Sequence, residues 1–517
     1  MDGTSRLLRS KQKQKTTIPN YLMTDTNNTK QAAWVAIGSL FSFAVGIISP
    51  MILSRFFTIG DYGTYKQVMY VYTTLLSVFT LGLPKAYAYF LPKHPYEESK
   101  AIINKITILF LILGGVFSLT LFLGSEPIAR FLDNPDLTTA LKVFSPVPLF
   151  LLPSMGLEGI FATYKKTQFL ALYTIITKII TILFTVLPVV IFNGNYIYAL
   201  IGFNIASILT CATALILRAQ PVKNYPAHNT VLSYREILNF SIPLLFASIW
   251  GMLYTSANQF FVSRYYGKET FAIFANGFTE LPFIGMVIGS ISTVLLPVFS
   301  RMEKGEGLSG NMVTIWNSAI LKSAKILFPI SVFCIFMARL VMICLYGVQY
   351  EDSTIYFQIK SLYGLFYIVP FAPLLIAMGR TKEYSNVTMY FTLALVTIEF
   401  LCVKLLDSPL YIAIASESCS IAKCIIFFIL IVKMSSRKIT EVLPMKQLIL
   451  VLITSVVASI PVYFISKCLE WNKFVLLLFD VFIFCVFYYV FCWIGKITYR
   501  DIVASVVKNN KILKIIP

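Results

Sequence analysis

Apolar runs long enough to cross a membrane recur along the whole chain, and they constrain its fold more than any other feature. A helix needs about 20 apolar residues to span bilayer hydrocarbon. Runs of that kind fall near residues 32–54, 67–91, 106–124, 143–162, 169–192, 196–217, 237–262, 271–299, 326–346, 355–378, 385–403, 410–432, 447–466 and 474–495. A spanning segment must satisfy its own backbone donors and acceptors, which a helix does internally. A transmembrane barrel would instead show short alternating strands, whereas these runs are continuously apolar. The predicted fold class is therefore all-α: a polytopic membrane protein of about fourteen transmembrane helices. Composition agrees, with 57% hydrophobic and 13% charged residues against roughly 45–50% and about 25% in soluble domains. The 517 residues need not divide into several soluble domains, because the bilayer takes the place of a core.

Orientation follows from Lys and Arg, which cytoplasmic loops retain. Of the 43 such residues, 29 fall in the N-terminal tail, the even-numbered gaps and the C-terminal tail, and Lys85, Lys178 and Lys423 lie inside spans. Both termini are expected in the cytoplasm, as an even number of crossings requires. The net charge of +19 is spread over these segments, so it reads as a topology signal rather than a nucleic-acid surface. The basic tail around Arg6, Arg9, Lys11, Lys13 and Lys15 is expected to touch anionic lipid headgroups. Residues 1–31 are long and polar, which argues against a cleavable signal peptide.

Most enzyme chemistry lacks its parts. The only histidines, His94 and His228, lie in polar stretches, and the nine cysteines contain no C-x-x-C pair, so neither a metal site nor a histidine-based triad is expected. No phosphate-cradling G-x-x-x-x-G-K-[ST] loop is present. No cofactor is expected.

An internal repeat organises the chain. The segment from Ser54 to Tyr65, SRFFTIGDYGTY, aligns without gaps on Ser263 to Phe274, SRYYGKETFAIF. Both begin with Ser-Arg and two aromatics, and aromatics match again at 62/271 and 65/274. Weaker echoes pair Leu91-Pro92 with Leu296-Pro297, and Ala162–Lys165 with Ala377–Arg380. Two six-helix halves are predicted, related by a parallel repeat about an axis along the membrane normal, with two additional C-terminal helices. The expected division is a tail at 1–31, a first half at 32–218, a linker at 219–236, a second half at 237–433, two further helices at 434–496 and a basic tail at 497–517. Such a repeat suits a path between the halves and alternating access by rigid-body rocking.

The run SRFFTIGDYGTY, followed by LGLPKAYAYFLPK at 81–93, resembles the start of polysaccharide-export flippases. These form the O-antigen (Wzx-type) branch of the multidrug/oligosaccharidyl-lipid/polysaccharide exporter superfamily. The recurring pattern after the first span maps onto Arg55, Asp61, Tyr62 and Gly63, while Phe57-Thr58-Ile59-Gly60 departs from the commoner Leu-Gly turn. The resemblance implies translocation of an undecaprenyl-pyrophosphate-linked oligosaccharide, of the O-antigen, capsule or exopolysaccharide kind, from the cytoplasmic to the periplasmic leaflet. It also implies polysaccharide-assembly enzymes as partners.

A charge at mid-bilayer costs about 2.5–3.5 kcal/mol on insertion scales, so each one is a functional candidate. For an anionic lipid-pyrophosphate headgroup the candidate cationic path is Lys85, Lys178, Arg264 and its repeat mate Arg55. Both arginines also fit snorkelling or helix-capping roles. Glu158, Glu280 and Glu399 are candidates for counter-charge or for coupling to H+ or Na+, since no ATP motif is present. Asp480 and Glu417-x5-Lys423 suit structural bridges. Prolines in or beside the spans suit bent helices, and Gly285-x-x-x-Gly289 suits close helix approach. Three alternatives remain at this point: a multidrug-type small-molecule cation antiporter, a lipid II or teichoic-acid flippase, and a membrane enzyme using Glu351-Asp352.

Overall fold

The structure is a computed structural model that describes residues 25–223, 228–302, 310–369, 371–435 and 438–503. Every regular element among them is helical. The first half contains α1 (Asp25–Phe56), α2 (Ile59–Phe79), α3 (Pro84–Phe90), α4 (Ser99–Leu123), α5 (Ser125–Phe131), α6 (Asp136–Phe144), α7 (Val147–Leu151), α8 (Leu157–Thr163), α9 (Thr167–Phe192) and α10 (Tyr196–Arg218). The second contains α11 (Tyr234–Tyr265), α12 (Gly267–Gly277), α13 (Pro282–Met302), α14 (Gly310–Phe336), α15 (Ala338–Tyr346), α16 (Ser353–Leu362), α17 (Phe371–Ala377), α18 (Thr381–Leu405) and α19 (Pro409–Ser435). After them come α20 (Ile439–Val442), α21 (Met445–Cys468), α22 (Lys473–Ile494) and α23 (Arg500–Val503).

Among the described residues eleven segments are long and apolar enough to cross a membrane, and α11, bent by 40°, makes a twelfth. The remaining two expected crossings, 271–299 and 355–378, are not continuous helices. The first is split into α12 and α13 and the second into α16 and α17. Proline supplies a reason at the first break: Pro282 has no N–H to donate, so the helix does not run on through it. The second and fourth crossings of the first half are interrupted as well, before Pro84 and around Pro146, Pro148 and Pro153. Interruption at the same two places in each half is the structural counterpart of the sequence repeat.

The predicted boundaries need small corrections. α1 begins at Asp25, inside the segment expected to be a tail, because Asp25 to Lys30 continues the helix in a polar turn and a half. α11 begins at Tyr234 rather than 237, where Ser233 and Glu236 form a reciprocal capping box. α19 runs on to Ser435. The basic residues Arg6 to Lys15 lie outside the described residues.

The repeated motif meets itself. Ser54-Arg55 and Ser263-Arg264 each end a long helix, and the helices that follow, α2 and α12, pack against each other between the halves. Gly63 makes this approach possible, since a Cβ there would lie 2.1 Å from the backbone oxygen of Lys268. At this motif end of the bundle polar side chains join the halves. Tyr62 donates to Asn276 at 3.0 Å and Gln67 donates to Ser263 at 2.8 Å, while within the first half Asn134 donates to Gln67 at 2.5 Å. Lys268 also pairs with Asp136 at 2.6 Å. The Ala162/Ala377 echo is a matching turn: Lys165 and Gly379 both adopt positive φ, 55° and 66°. The next amides bond back to Phe161 and Leu375, at 2.9 and 2.8 Å. The structural register is one residue off the sequence alignment.

At the opposite end the halves touch through aromatic rings, with Tyr89 of α3 stacked on Phe240 of α11 at 4.1 Å. The connection between the halves is laced to the first of them. The amide of His228 donates to Glu97 O at 3.2 Å, Thr230 to Glu98 at 2.5 Å, and Lys105 to Leu232 O at 2.7 Å.

Candidate functional site

Two neighbouring cavities lie within the bundle. One, of about 670 Å³, is bounded by α1, α8, α9, α13 and α15 and is lined mainly by small and apolar groups, among them Gly38, Ser42, Gly46 and Ala171. Small residues let α1 and α9 approach closely here: a Cβ on Gly38 would stand 3.2 Å from Ala171 Cα. The second, of about 660 Å³, lies in the second half between α11, α13, α16 and α19. Its walls carry Tyr254, Asn258, Gln259, Lys360, Tyr363 and Lys423.

The two meet at Thr279 and Glu280, which line both. These residues belong to the unwound stretch between α12 and α13. Irregular backbone at membrane depth is tolerated where it borders a cavity rather than lipid, so the break and the cavities explain each other. Gly285 and Gly289, expected to let a helix approach, have open space where a Cβ would point and line the second cavity. Here small residues make room.

The predicted site residues separate into groups. Glu158 and Glu280 line the first cavity, Glu158 from the first turn of α8. Lys178 is half-buried on α9, one turn beyond the lining residue Thr174, and among the described residues it makes no hydrogen bond or ion pair. Lys85 is exposed on α3, outside both cavities. Arg55 and Arg264 lie at the motif end. Arg55 donates to Cys344 O at 2.5 Å and lies 5.2 Å from the Phe474 ring centre. Arg264 borders a surface depression with Glu126, Arg130 and Phe131. Glu399 is fully buried in α18, and among the described residues neither of its carboxylate oxygens has a hydrogen-bond partner.

Two cations outside the expected path stand in the second cavity. Lys360 pairs with buried Glu417 at 2.7 Å, and Lys423 places its ammonium 3.2 Å from the ring centre of Tyr254. Glu417 thus bridges to α16 and not to Lys423 within its own helix. Lys360 sits near the start of a predicted span, where the topology count assigns it to the adjoining loop. Its helical spacing to Tyr363 and Tyr367 is the signal that would have placed it on a common face. Asp480 accepts a bond from Ser466 across α21 and α22 at 2.7 Å. Glu351 forms an exposed ion pair with Arg339 at 2.7 Å.

A family profile described as "Polysaccharide biosynthesis protein" matches residues 52–355, from the first copy of the motif to the start of α16. The chain belongs to this polysaccharide biosynthesis family. It is 24% identical over 402 residues to the capsular polysaccharide biosynthesis protein CapF of Staphylococcus aureus, covering 75% of this chain and 96% of that one. It is likewise 24% identical to the succinoglycan biosynthesis transport protein ExoT of Rhizobium meliloti, over 54% of this chain and 56% of that one. In fold this family member resembles the lipid II flippase MurJ in an inward closed conformation. The TM-score is 0.69 at 18% identity, over 90% of this chain and 99% of that one. It also resembles a MATE multidrug resistance transporter of the MOP superfamily, with a TM-score of 0.59 at 14% identity over 78% and 94% of the two chains.

Proposed function

We propose that this membrane protein is a flippase that carries an undecaprenyl-pyrophosphate-linked oligosaccharide from the cytoplasmic to the periplasmic leaflet by alternating access. The observation that carries the reading is the pair of cavities joined at the unwound Thr279–Glu280 segment, in a helical bundle with an internal repeat and in a chain of the polysaccharide biosynthesis family. A glycan needs a wet polar route while its polyprenyl tail stays in lipid, and a cavity inside a helical bundle offers that route. On this reading the repeat unit is of the O-antigen, capsule or exopolysaccharide class, the termini are cytoplasmic in an inner membrane, and the motif end faces the periplasm. Assembly enzymes would supply the substrate and consume the product.

Within this reading Lys178 and Lys85 serve the cytoplasmic approach of the anionic headgroup, and Arg55 and Arg264 its exit. Glu158, Glu280 and Glu399 are the carboxylates on which a coupling H+ or Na+ would act. Glu399 is the most distinctive, because an ionised carboxylate without donors is costly to bury and a proton or small cation beside it removes the cost.

The test is leaflet-resolved transport of a fluorescent undecaprenyl-pyrophosphate oligosaccharide in oriented proteoliposomes, with wild type beside Lys178→Ala. Protein-dependent movement that Lys178→Ala slows supports both the function and the cationic path. Undiminished movement in Lys178→Ala removes that residue from the path. Absence of wild-type movement under proton and sodium gradients, with efflux of a fluorescent organic cation in its place, would identify a multidrug-type antiporter.

A further inference from the structure

The two cavities differ in charge. Among the described residues the first is lined by the carboxylates Glu158 and Glu280 and by no cation, so an anion placed there meets only like charge; Glu280 lines the second as well, but there cations stand with it. The second holds two ammonium groups of different kinds. Lys360 is neutralised by Glu417, whereas Lys423 has an aromatic face, that of Tyr254, and no carboxylate partner among the described residues. Beside them Tyr363 and Tyr367 lie nearly parallel, with ring centres 5.1 Å apart. Asn258, 6% exposed, bonds Ser416 through its amide nitrogen, and among the described residues its buried carbonyl oxygen in a wall of the cavity has no partner.

Aromatic faces, an amide with unused hydrogen-bonding capacity and a cation in ion-pair contact with no carboxylate among the described residues together match a sugar carrying negative charge. Sugar C–H faces pack on rings, hydroxyls satisfy amides, and the anion gains charge-assisted hydrogen bonds. The volume, about 660 Å³, lies in the range of roughly 300–1,000 Å³ that ligand sites occupy.

We propose that the cavity of the second half is the subsite for the anionic saccharide end of the substrate, with Lys423 as principal anion ligand, Lys360 as second ligand and Tyr363 as stacking surface. The proposal rests on the flippase reading and deepens it. Lys360 reaches the anion by exchanging it for Glu417. The negative charge belongs either to the carrier diphosphate or to a carboxylate on a sugar, and the chemistry of the site is the same for both.

Binding to the full-length protein in detergent separates these cases. The probes are undecaprenyl diphosphate without sugar, the same carrier bearing N-acetylglucosamine, and a free uronic-acid tetrasaccharide. We expect Lys423→Gln to weaken the anionic probe by about tenfold or more, the loss of one charged hydrogen bond. Lys423→Arg should restore binding. Tyr363→Ala should weaken the sugar-bearing carrier more than the bare diphosphate. Lys423 dependence with bare diphosphate assigns the charge to the carrier, and dependence with the tetrasaccharide alone assigns it to the sugar. Lys423→Gln is the primary variant because Lys360→Gln strands Glu417 and can fail to fold; thermal unfolding of each variant checks this. Equal binding by wild type and a folded Lys423→Gln overturns the subsite and leaves the flippase reading standing. A folded wild type that binds none of the probes overturns both.

Discussion

The backbone oxygen of Lys268 stands where a side chain on Gly63 would begin, so the smallest possible change at this residue acts on the contact between the halves. Gly63→Ala must push α2 away from α12, and overpacking of this kind costs about 1–3 kcal/mol. A lower unfolding temperature in detergent is the expected outcome, and an unchanged one would mean that the two helices separate freely. Glu399 invites the opposite kind of change. Glu399→Gln keeps its shape and removes its charge, so the folded protein should be at least as stable while transport loses its response to the ion gradient. Initial flipping rates with and without a gradient measure this, and a retained response would exclude Glu399 from coupling. At this scale the sequence was only partly informative. A charge inside an apolar run is visible from composition, which is how Lys178, Glu280 and Glu399 stand out. Which way a helix turns it is decided by neighbours far along the chain. Lys423 enters a cavity because Tyr254 of α11 receives it, and Lys85 does not.

Helices of the required length were legible because the bilayer sets their span, and the motif junctions at Arg55 and Arg264 fall where the repeat puts them. The interruptions were less so. Prolines marked several of them, but the unwinding at Thr279 and Glu280 depends on cavities on both sides, which no local window contains. The motif end offers a test of how elements move. Gln67 on α2 bonds Ser263 across the halves, a bond contributing about 0.5–1.5 kcal/mol net. Gln67→Ala should therefore shift the balance toward an opened motif end several-fold, at most about tenfold. Distances between spin labels on α2 and α12 report the shift, and an unaltered distribution would show that this network does not hold the end closed.

Across the whole molecule the distribution of Lys and Arg gives a topology that can be checked without any transport assay. Epitopes at either terminus should be cleaved by external protease only in inside-out vesicles, and cleavage of one terminus alone would require an odd number of crossings. The helical architecture was readable at this level because the spacing of apolar runs is a property of the full chain. The path of the connection between the halves was not, since its bonds to Glu97, Glu98 and Lys105 leave no periodic trace. Those bonds have a mechanical consequence. Through them, and through Phe240 on Tyr89, the first stretch of α11 travels with the first half. Its last stretch is fastened to the second half through Tyr254 to Ser420 and Asn258 to Ser416. Any swing between the halves must then be absorbed inside one helix, at the bend between Phe246 and Ser248. α11 is an elbow joint: one residue inserted there would twist forearm against upper arm by about 100°, whereas the same residue inserted ahead of His228 would merely lengthen a sleeve.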